Sequence, residues 1–246
     1  MNENKKGLPK VILILPAYNE EANILRVVKG IESFKEENKD NLKYSLDYIV
    51  INDGSKDNTE QIAKDNNINI INLPNNLGIG GAVQTGYKYA LKRNYDIAVQ
   101  FDGDGQHDIN SLNNIVLPII NNEADFVVGS RFIEDDENNF KSTALRRFGI
   151  GILSSLIKLC TGKKIYDVTS GYRAANKKII ELFVQNYPID YPEPESLVFL
   201  TKQDYKILEK HVNMLERKAG TSSIKTLDSA FYMVKVSIAI LLEALG

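Results

Sequence analysis

Five short apolar runs, each followed by a polar or helix-like segment, constrain the fold of this chain more than any other feature. The runs lie in KVILILP, LDYIVINDG, INIINL, YDIAVQFDGDG and DFVVGS. Between them apolar residues recur at helical spacing, as in EEANILRVVKGIESF, where one face carries Ile24, Val27, Val28 and Ile31. Strands that alternate with helices are typical of a mostly parallel sheet covered by helices on both faces. We therefore expect an α/β fold with a Rossmann-like central sheet.

The second half of the chain is less regular. STALRRFGIGILSSLIKLCTG predicts a helix, and VTSGYRAANKKIIELF predicts a turn or short strand that leads into a helix. YPIDYPEPESL predicts a structured loop before another helix, and KHVNMLE is compatible with either a strand or a helix. The single cysteine, Cys160, lies among apolar residues at helical spacing, so we interpret it as a core residue rather than a nucleophile.

The composition excludes several classes of protein. The chain has 246 residues, 43% of them hydrophobic, and a net charge of −2 from 30 basic and 32 acidic residues. This balance argues against a nucleic-acid-binding protein, and one cysteine allows neither an internal disulfide nor a Cys/His zinc site. We find no signal-peptide pattern and no apolar run as long as a membrane span, and therefore expect a cytoplasmic protein.

Polar clusters follow three of the predicted strands: PAYNEE, NDGS and DGDGQHD. Ligands in open α/β sheets bind beyond the carboxyl ends of the strands, so we expect the three clusters to converge on one site. Asp102 and Asp104 lie one residue apart at an extended strand end, where both carboxylates reach one Mg²⁺ or Mn²⁺ ion or the phosphates that it carries. Gln106 offers a further oxygen. An acidic turn that caps a helix is the alternative, but the neighbouring polar strand ends favour the metal site.

Two other segments suggest a bound nucleotide. Asp53 in NDGS is placed to accept a hydrogen bond from a nucleobase or ribose, or else to form a simple Asp-Gly turn. NNLGIGGAVQTG, which contains Gly81, is similar to a phosphate-cradling loop at a helix start. It matches neither the full Rossmann nor the Walker pattern.

Six ordered motifs resemble those of family 2 glycosyltransferases with the GT-A fold: ILPAYNEE, VINDGSKDNT, NLGIGGAVQTGYKYA, QFDGDGQHD, VVGSRF and TSGYRA. The resemblance spans roughly Lys10 to Leu200. It is nearest to the dolichol- and polyprenol-phosphate sugar transferases and their bacterial cell-surface relatives. It implies metal-dependent transfer of a sugar from a nucleotide diphosphate sugar, with inversion at the anomeric carbon. UDP is the preferred carrier, and the acceptor is polyprenyl phosphate or, alternatively, a hydroxyl of a lipid-linked surface glycan.

The resemblance also assigns residues by position. It places the following in nucleotide-sugar binding: Pro16, Ala17, Tyr18, Glu20, Asp53, Gly81, Asp102, Asp104, Ser170 and Arg173. Asp104 is the principal ligand of Mg²⁺ or Mn²⁺, with Asp102 and Gln106 beside it. Arg131 faces the phosphates or the acceptor, since arginine suits bidentate phosphate binding. His107 supports the metal ligands and is not the principal ligand itself.

A hydroxyl acceptor requires a general base. Many relatives carry an acidic base at the start of a helix in the second half, where YPEPES holds Glu193 and Glu195. We prefer Glu195, although a first-turn charge of a helix is the alternative interpretation of either residue. A lipid phosphate is already ionised and needs no base, and the glutamates would then orient or exclude substrates.

Differences from the family pattern indicate which type of sugar transfer the chain catalyses and where in the cell it acts. The QxxRW motif of processive synthases is absent, which favours transfer of a single sugar. We expect a glycosyltransferase domain in residues 1–220 and a C-terminal amphipathic helix in residues 221–246. That helix would contact a membrane surface at its cytoplasmic face, a membrane partner protein, or a second copy in a homodimer. Arg217, Lys218 and Lys225 would meet an acceptor phosphate or anionic lipid headgroups, or else form a solvated charge run.

Two alternative functions remain open at this stage. A nucleotidyltransferase also places acidic metal ligands at strand ends, but it needs a glycine-rich basic loop directly after the first strand, which PAYNEE is not. An inactive sugar-nucleotide-binding scaffold is the non-enzyme alternative. The presence of Asp102, Asp104 and Gln106 argues against it.

Overall fold

The computed structural model describes residues 7–133, 144–215 and 228–245. Seven strands in these ranges form one sheet in the order β3-β2-β1-β4-β6-β5-β7. The strands are β1 (Lys10–Ala17), β2 (Ser45–Asn52), β3 (Ile70–Asn72), β4 (Ile97–Gln100), β5 (Phe126–Ser130), β6 (Arg173–Asn176) and β7 (Ile207–His211). The helices are α1 (Ile24–Glu37), α2 (Thr59–Asp65), α3 (Gly78–Lys92), α4 (Leu112–Ile120), α5 (Ala144–Thr161), α6 (Lys177–Gln185), α7 (Pro192–Lys202) and α8 (Asp228–Leu245).

The sheet is mostly parallel and covered on both faces, as the alternation of strands and helices predicts. Ile12 and Ile14 of β1 belong to a core cluster with residues of α3, α6 and α7. Leu13 and Leu15 belong to the opposite cluster, which includes residues of α1 and α4. A strand buried on both faces reads as a continuous apolar run, which explains why KVILILP contains no polar residue after its lysine.

One strand runs against the others and brings the second half of the chain to the site. β6 pairs antiparallel with both β4 and β5, and Gln100 lies opposite Arg173 across the β4–β6 pair. The amino end of β6 therefore lies beside the carboxyl end of β4. The segment TSGYRA thus meets the acidic segment DGDGQHD at the same edge of the sheet.

The ambiguous segment KHVNMLE begins in a strand, since Lys210 and His211 are the last residues of β7, which pairs in parallel with β5. After β7 the chain makes an antiparallel bridge between Met214 and His107, which closes one side of the acidic loop. Arg217, Lys218 and Lys225 lie outside the described residues, as does the boundary predicted between residues 220 and 221. Of the helices that the structure describes, none is long and apolar enough to cross a membrane.

Candidate active site

Backbone hydrogen bonds bring the ends of β1, β2 and β4 together. The amide of Asp53 donates to the carbonyl of Ala17 at 2.9 Å, and the amide of Gly103 donates to the carbonyl of Pro16 at 3.3 Å. Pro16 and Ala17 are buried, whereas Tyr18 is 44% exposed. The three polar clusters therefore meet, and Tyr18 offers its ring at the surface predicted for nucleoside binding.

Hydrogen bonds connect the loop after β1 to the loop after β2. Asn19 donates its amide to Ser55 Oγ at 2.9 Å and accepts from the amide of Lys56 at 2.8 Å. The amide of Glu20 donates to Thr59 Oγ1 at 2.9 Å. Asn19 has φ 56°, a left-handed conformation in which asparagine is favoured over most residues. This cross-linking fixes the surface that carries Tyr18.

Asp53 has a structural role in the loop before α3. It is 3% exposed, and its Oδ1 accepts the amide of Leu77 at 2.7 Å. Burial raises its pKa, an effect that the amides of Leu77 and Gly78 oppose. The carboxylate thus anchors the start of α3, and its predicted contact with a nucleobase or ribose stays a prediction.

The glycines at the start of α3 allow close packing. A Cβ on Gly80 would collide with the backbone at Pro188 and Ile189, and one on Gly81 would collide with the side chain of Leu77. These glycines therefore have a packing role at the start of α3, since glycine allows close backbone approach. The phosphate cradle predicted around Gly81 stays a prediction.

The acidic loop after β4 presents its oxygen ligands within five residues. Asp104 Oδ1 accepts the amide of Gln106 at 2.9 Å, and Gly105 between them has φ 76°. The guanidinium of Arg26 lies against Gly105, so that a Cβ there would collide with it. Arg26 also donates to Asn23 Oδ1 at 3.1 Å. No motif in the sequence places this arginine of α1 at the acidic loop.

His107 supports the loop from within. Its Nδ1 accepts the amide of Asp102 at 3.0 Å, which assigns the proton to Nε2, 3.5 Å from Asp102 Oδ2. The ring stacks on Tyr172 with centroids 4.7 Å apart. Burial lowers the pKa of His107 to about 4, so the ring is neutral at pH 7. These contacts fit the supporting role predicted for it.

The loop suits a hard divalent cation by the chemistry of its donors. Asp102, one third exposed at its side chain, and Asp104 supply carboxylates, and Gln106 supplies an amide oxygen. In the described part of the chain no three His, Cys, Asp or Glu side chains form a preassembled metal cluster. Mg²⁺ and Mn²⁺ are commonly held by one or two carboxylates together with substrate phosphates, which matches this set.

Arg131 is held by a buried carboxylate. Its Nε and Nη2 donate to the two oxygens of Asp167 at 2.7 Å each, and Nη2 also reaches Thr169 Oγ1 at 3.1 Å. Asp167 is fully buried, and its own amide donates to Glu209 Oε1 at 2.9 Å. Sequence reasoning missed Asp167, although a lone acid three residues before Ser170 was a signal.

A polar pocket joins the acidic loop to this arginine. It is lined by Asp102, Gln106, His107, Arg131, Thr169, Ser170, Gly171 and Met214. The lining thus combines carboxylate and amide oxygens with a guanidinium and two hydroxyl-bearing residues. Such a pocket is suited to an anion bound together with a metal ion.

Arg173 lies behind the pocket and not in it. It is 1% exposed and donates to the carbonyls of Ser170 at 2.6 Å, Val168 at 3.1 Å and Glu193 at 2.6 Å. These bonds brace the loop that carries Ser170 against the start of α7. The direct contact with a donor phosphate predicted for Arg173 is not supported by this arrangement, because its guanidinium is enclosed. Ser170 lines the pocket as predicted for a substrate contact.

The two glutamates of YPEPES face different surroundings. Glu195 Oε1 accepts the amide of Tyr191 at 3.0 Å and so caps the start of α7. Glu193 Oε1 lies 3.5 Å from Gln100 Nε2, which is also 3.5 Å from Asp102 Oδ1. Burial raises the pKa of Glu193, Arg173 opposes that rise, and Asp102 adds to it. Glu193 is therefore the glutamate that lies near Gln100 and Asp102, and we favour it over Glu195 as the candidate base, although the role of both residues stays a prediction.

Comparison with known proteins decides the family. Residues 12–183 match the family model described as Glycosyl transferase family 2. The chain is a family 2 glycosyltransferase. A protein of Methanococcus voltae named UDP-N-acetylglucosamine–dolichyl-phosphate N-acetylglucosaminyltransferase is 38% identical over 190 residues, which cover 70% of this chain and 71% of the relative. The polyprenol monophosphomannose synthase of Mycolicibacterium smegmatis is 23% identical over 244 residues, or 93% and 86% of the two chains.

Solved structures confirm the fold of this glycosyltransferase. Glucosyl-3-phosphoglycerate synthase from Mycobacterium tuberculosis, solved with Mn²⁺, UDP-glucose and phosphoglyceric acid, superposes with a TM-score of 0.69. The match covers 97% of this chain and 80% of that one, at 20% identity. The predicted GT-A fold is thus confirmed. The relatives named for dolichyl- and polyprenol-linked transfer are consistent with the predicted resemblance to that branch of the family.

Proposed function

We propose that this glycosyltransferase moves one sugar from a nucleotide diphosphate sugar to polyprenyl phosphate, with inversion and with the help of a divalent metal ion. The observation that carries the proposal is the pocket in which Asp102 of the acidic loop faces Arg131. One end of this pocket suits a metal ion and its diphosphate, and the other suits a second anion. A lipid phosphate acceptor is such an anion.

The donor side is assigned to the acidic loop. Asp104, Asp102 and Gln106 would hold Mg²⁺ or Mn²⁺, which offsets the negative charge that develops on the departing nucleotide diphosphate. Arg131, oriented by Asp167, would add a fixed positive charge at the other end of the pocket, where the acceptor phosphate would bind. We favour UDP as the carrier, because the Methanococcus relative is named for UDP-N-acetylglucosamine and the structural neighbour was solved with UDP-glucose.

The acceptor side contains hydroxyl donors. Thr169 and Ser170 line the pocket beside Arg131, and a guanidinium with hydroxyls is a common setting for a phosphate. Several relatives are named for transfer to dolichyl or polyprenyl phosphate, which supports this choice of acceptor. An acceptor phosphate is ionised at neutral pH, so its oxygen attacks without a general base.

Transfer to a hydroxyl of a lipid-linked glycan is the second candidate, and Glu193 favours it. A half-buried carboxylate with a raised pKa beside the pocket is suited to accept a proton from an attacking hydroxyl. With a phosphate acceptor, the same carboxylate would orient the donor sugar. The two cases differ in whether Glu193 is required for the chemical step.

A lipid-linked acceptor requires access to a membrane, and we propose that α5 and α8 provide it. These helices contact each other and expose large apolar side chains, namely Phe148, Ile152, Leu159, Val234, Ile238, Leu241, Leu242 and Leu245. Leu159 and Leu245 are more than 80% exposed. We propose that the C-terminal segment 221–246 contacts the cytoplasmic face of the membrane together with α5, which belongs to the glycosyltransferase domain in residues 1–220.

Calorimetric titration of UDP, GDP and dTDP in the presence of Mn²⁺ tests the donor side. We expect selective binding that is lost with EDTA and with Asp104→Ala. Absence of binding by the folded protein for every nucleotide would contradict the proposal. Transfer from the matching nucleotide sugar to polyprenyl phosphate, compared with a lipid-linked glycan, then decides the acceptor.

A further inference from the structure

Gln100, the last residue of β4, carries a polar side chain at a buried position where an apolar one is expected. The three preceding residues of the strand are apolar, and Gln100 is 1% exposed. A buried amide without hydrogen-bond partners destabilises the folded protein, so a glutamine at this position needs a compensating interaction. Among the described residues its Oε1 has no hydrogen-bond partner, and the neighbours of its Nε2 are carboxylates.

The amide lies between two acidic groups of the site. Its Nε2 is 3.5 Å from Asp102 Oδ1 and 3.5 Å from Glu193 Oε1, at the outer limit of a hydrogen bond. The opposite amide orientation would place Oε1 against both carboxylates, which is repulsive. The two carboxylates therefore set the orientation, and the NH₂ group has one N–H for each of them.

The neighbouring strand holds the other end of the same glutamate. Arg173, opposite Gln100 in the β4–β6 pair, donates from Nη1 to the carbonyl of Glu193 at 2.6 Å. Two cross-strand neighbours thus hold Glu193, one at its backbone and one at its carboxylate. Space for this arrangement depends on Gly171, where a Cβ would lie 2.8 Å from Asp102 Oδ2 and 3.1 Å from Gln100 Nε2.

We propose that Gln100 is a positioning residue that fixes the carboxylate of Glu193 relative to that of Asp102. It donates one N–H to each and holds two like charges at a set separation. Gln100 thereby determines where the carboxylate of Glu193 lies at the start of α7. The inference rests on glycosyl transfer by this site and applies to either acceptor.

A double-mutant cycle between Gln100 and Glu193 tests this role. Gln100→Met removes both N–H groups at similar volume, and Glu193→Gln removes the charge that they meet. We expect Gln100→Met to lower kcat by roughly tenfold to a hundredfold, with a much smaller change in the donor KM. When Glu193 is already glutamine, Gln100→Met should lower kcat by less than about threefold, because the role proposed for Gln100 is to position the carboxylate of Glu193.

Controls separate positioning from folding. Gln84→Met removes another glutamine amide, whose Nε2 lies 3.3 Å from the carbonyl of Phe183, and should leave kcat unchanged. If Gln100→Met does not fold, Gln100→Asn withdraws the N–H groups by one methylene while keeping the amide, and should show the same dependence on Glu193. The proposal would be overturned if the kcat losses of Gln100→Met and Glu193→Gln multiply in the double variant. It would also be overturned if Gln100→Met leaves kcat unchanged.

Discussion

The guanidinium of Arg131 and the carboxylate of Asp167 form a bidentate ion pair in which Nε and Nη2 each lie 2.7 Å from a different oxygen. Arg131 is 8% exposed and Asp167 is fully buried. Glu209 fixes Asp167 in turn by accepting its amide. A buried pair of this kind holds the arginine in one orientation, which is what a site that recognises phosphate requires.

Asp167→Ala should be strongly destabilising. Removing one partner leaves the charge of Arg131 buried and uncompensated, which costs about 3–5 kcal/mol of unfolding free energy. Urea denaturation measures this loss. Glu36→Ala, which breaks the exposed pair with Lys39, is the control and should change stability by less than about 1 kcal/mol. Equal effects of the two variants would contradict the structural role of the buried pair.

Asp104→Asn should abolish metal-dependent nucleotide binding while the protein stays folded. We assign the carboxylate of Asp104 as the principal metal ligand. We therefore expect the affinity for UDP in the presence of Mn²⁺, measured by calorimetry, to fall more than about tenfold. Asp108→Asn is a matched control in the same loop. Asp108 accepts the amide of Asn110 at 3.0 Å and caps a short helical turn, so its change should leave UDP affinity unaltered.

Glu193→Gln should lower kcat, whereas Glu195→Gln should not. We expect Glu193→Gln to lower kcat by about a hundredfold or more if the acceptor is a hydroxyl, and by less if it is a phosphate. Glu195→Gln should leave kcat unchanged and cost less than about 1 kcal/mol of stability, because the glutamine oxygen can still accept the amide of Tyr191. Steady-state kinetics with thermal unfolding checks both. A larger kcat loss in Glu195→Gln would restore the sequence-based preference.

The sequence predicted the strands and the convergence of the site because both follow from local patterns. KVILILP is buried on both faces as its apolar run requires, and Asp102 and Asp104 lie beyond β4 as their position after an apolar run implies. The antiparallel direction of β6 was not predictable, since it depends on pairing between residues about 75 positions apart, such as Gln100 and Arg173.

The direction in which a side chain points could also not be predicted from the sequence. Glu193 and Glu195 are two residues apart on one helical turn, so only the packing of α7 decides which of them faces the site. Arg173 follows the motif TSG as an arginine would at a phosphate site, yet the structure uses it to brace backbone carbonyls. Motif position alone does not separate these roles.

Gly86→Ala should destabilise the protein through a steric clash. A Cβ on Gly86 in α3 would overlap the side chain of Ile14 in β1, and overpacking of this kind costs about 1–3 kcal/mol. Gly30→Ala is the matched control. Gly30 is exposed within α1 with no heavy atom near its Cβ position, so alanine there should stabilise by about 0.5–1 kcal/mol. Urea denaturation should thus show changes of opposite sign.

His107 should make the metal-free protein less stable in mild acid. Burial lowers its pKa in the folded state to about 4, below the ordinary value of 6.5. Between these two pH values the unfolded chain binds a proton that the folded one does not, so stability falls as the pH falls from 6.5 to 4. The full effect is about 3 kcal/mol by linkage.

His107→Asn isolates this effect. Asparagine keeps an oxygen that can accept the amide of Asp102 but does not titrate. Glu193 and Glu209 have raised pKa values and contribute the opposite slope in the same range, so the quantity to measure is the difference between the two proteins. Urea denaturation with EDTA at several pH values should show that difference shrinking as the pH falls from 6.5 to 4. A difference independent of pH would mean that His107 has the same pKa in the folded protein as in the unfolded chain, and the lowered pKa of the buried ring would then be wrong.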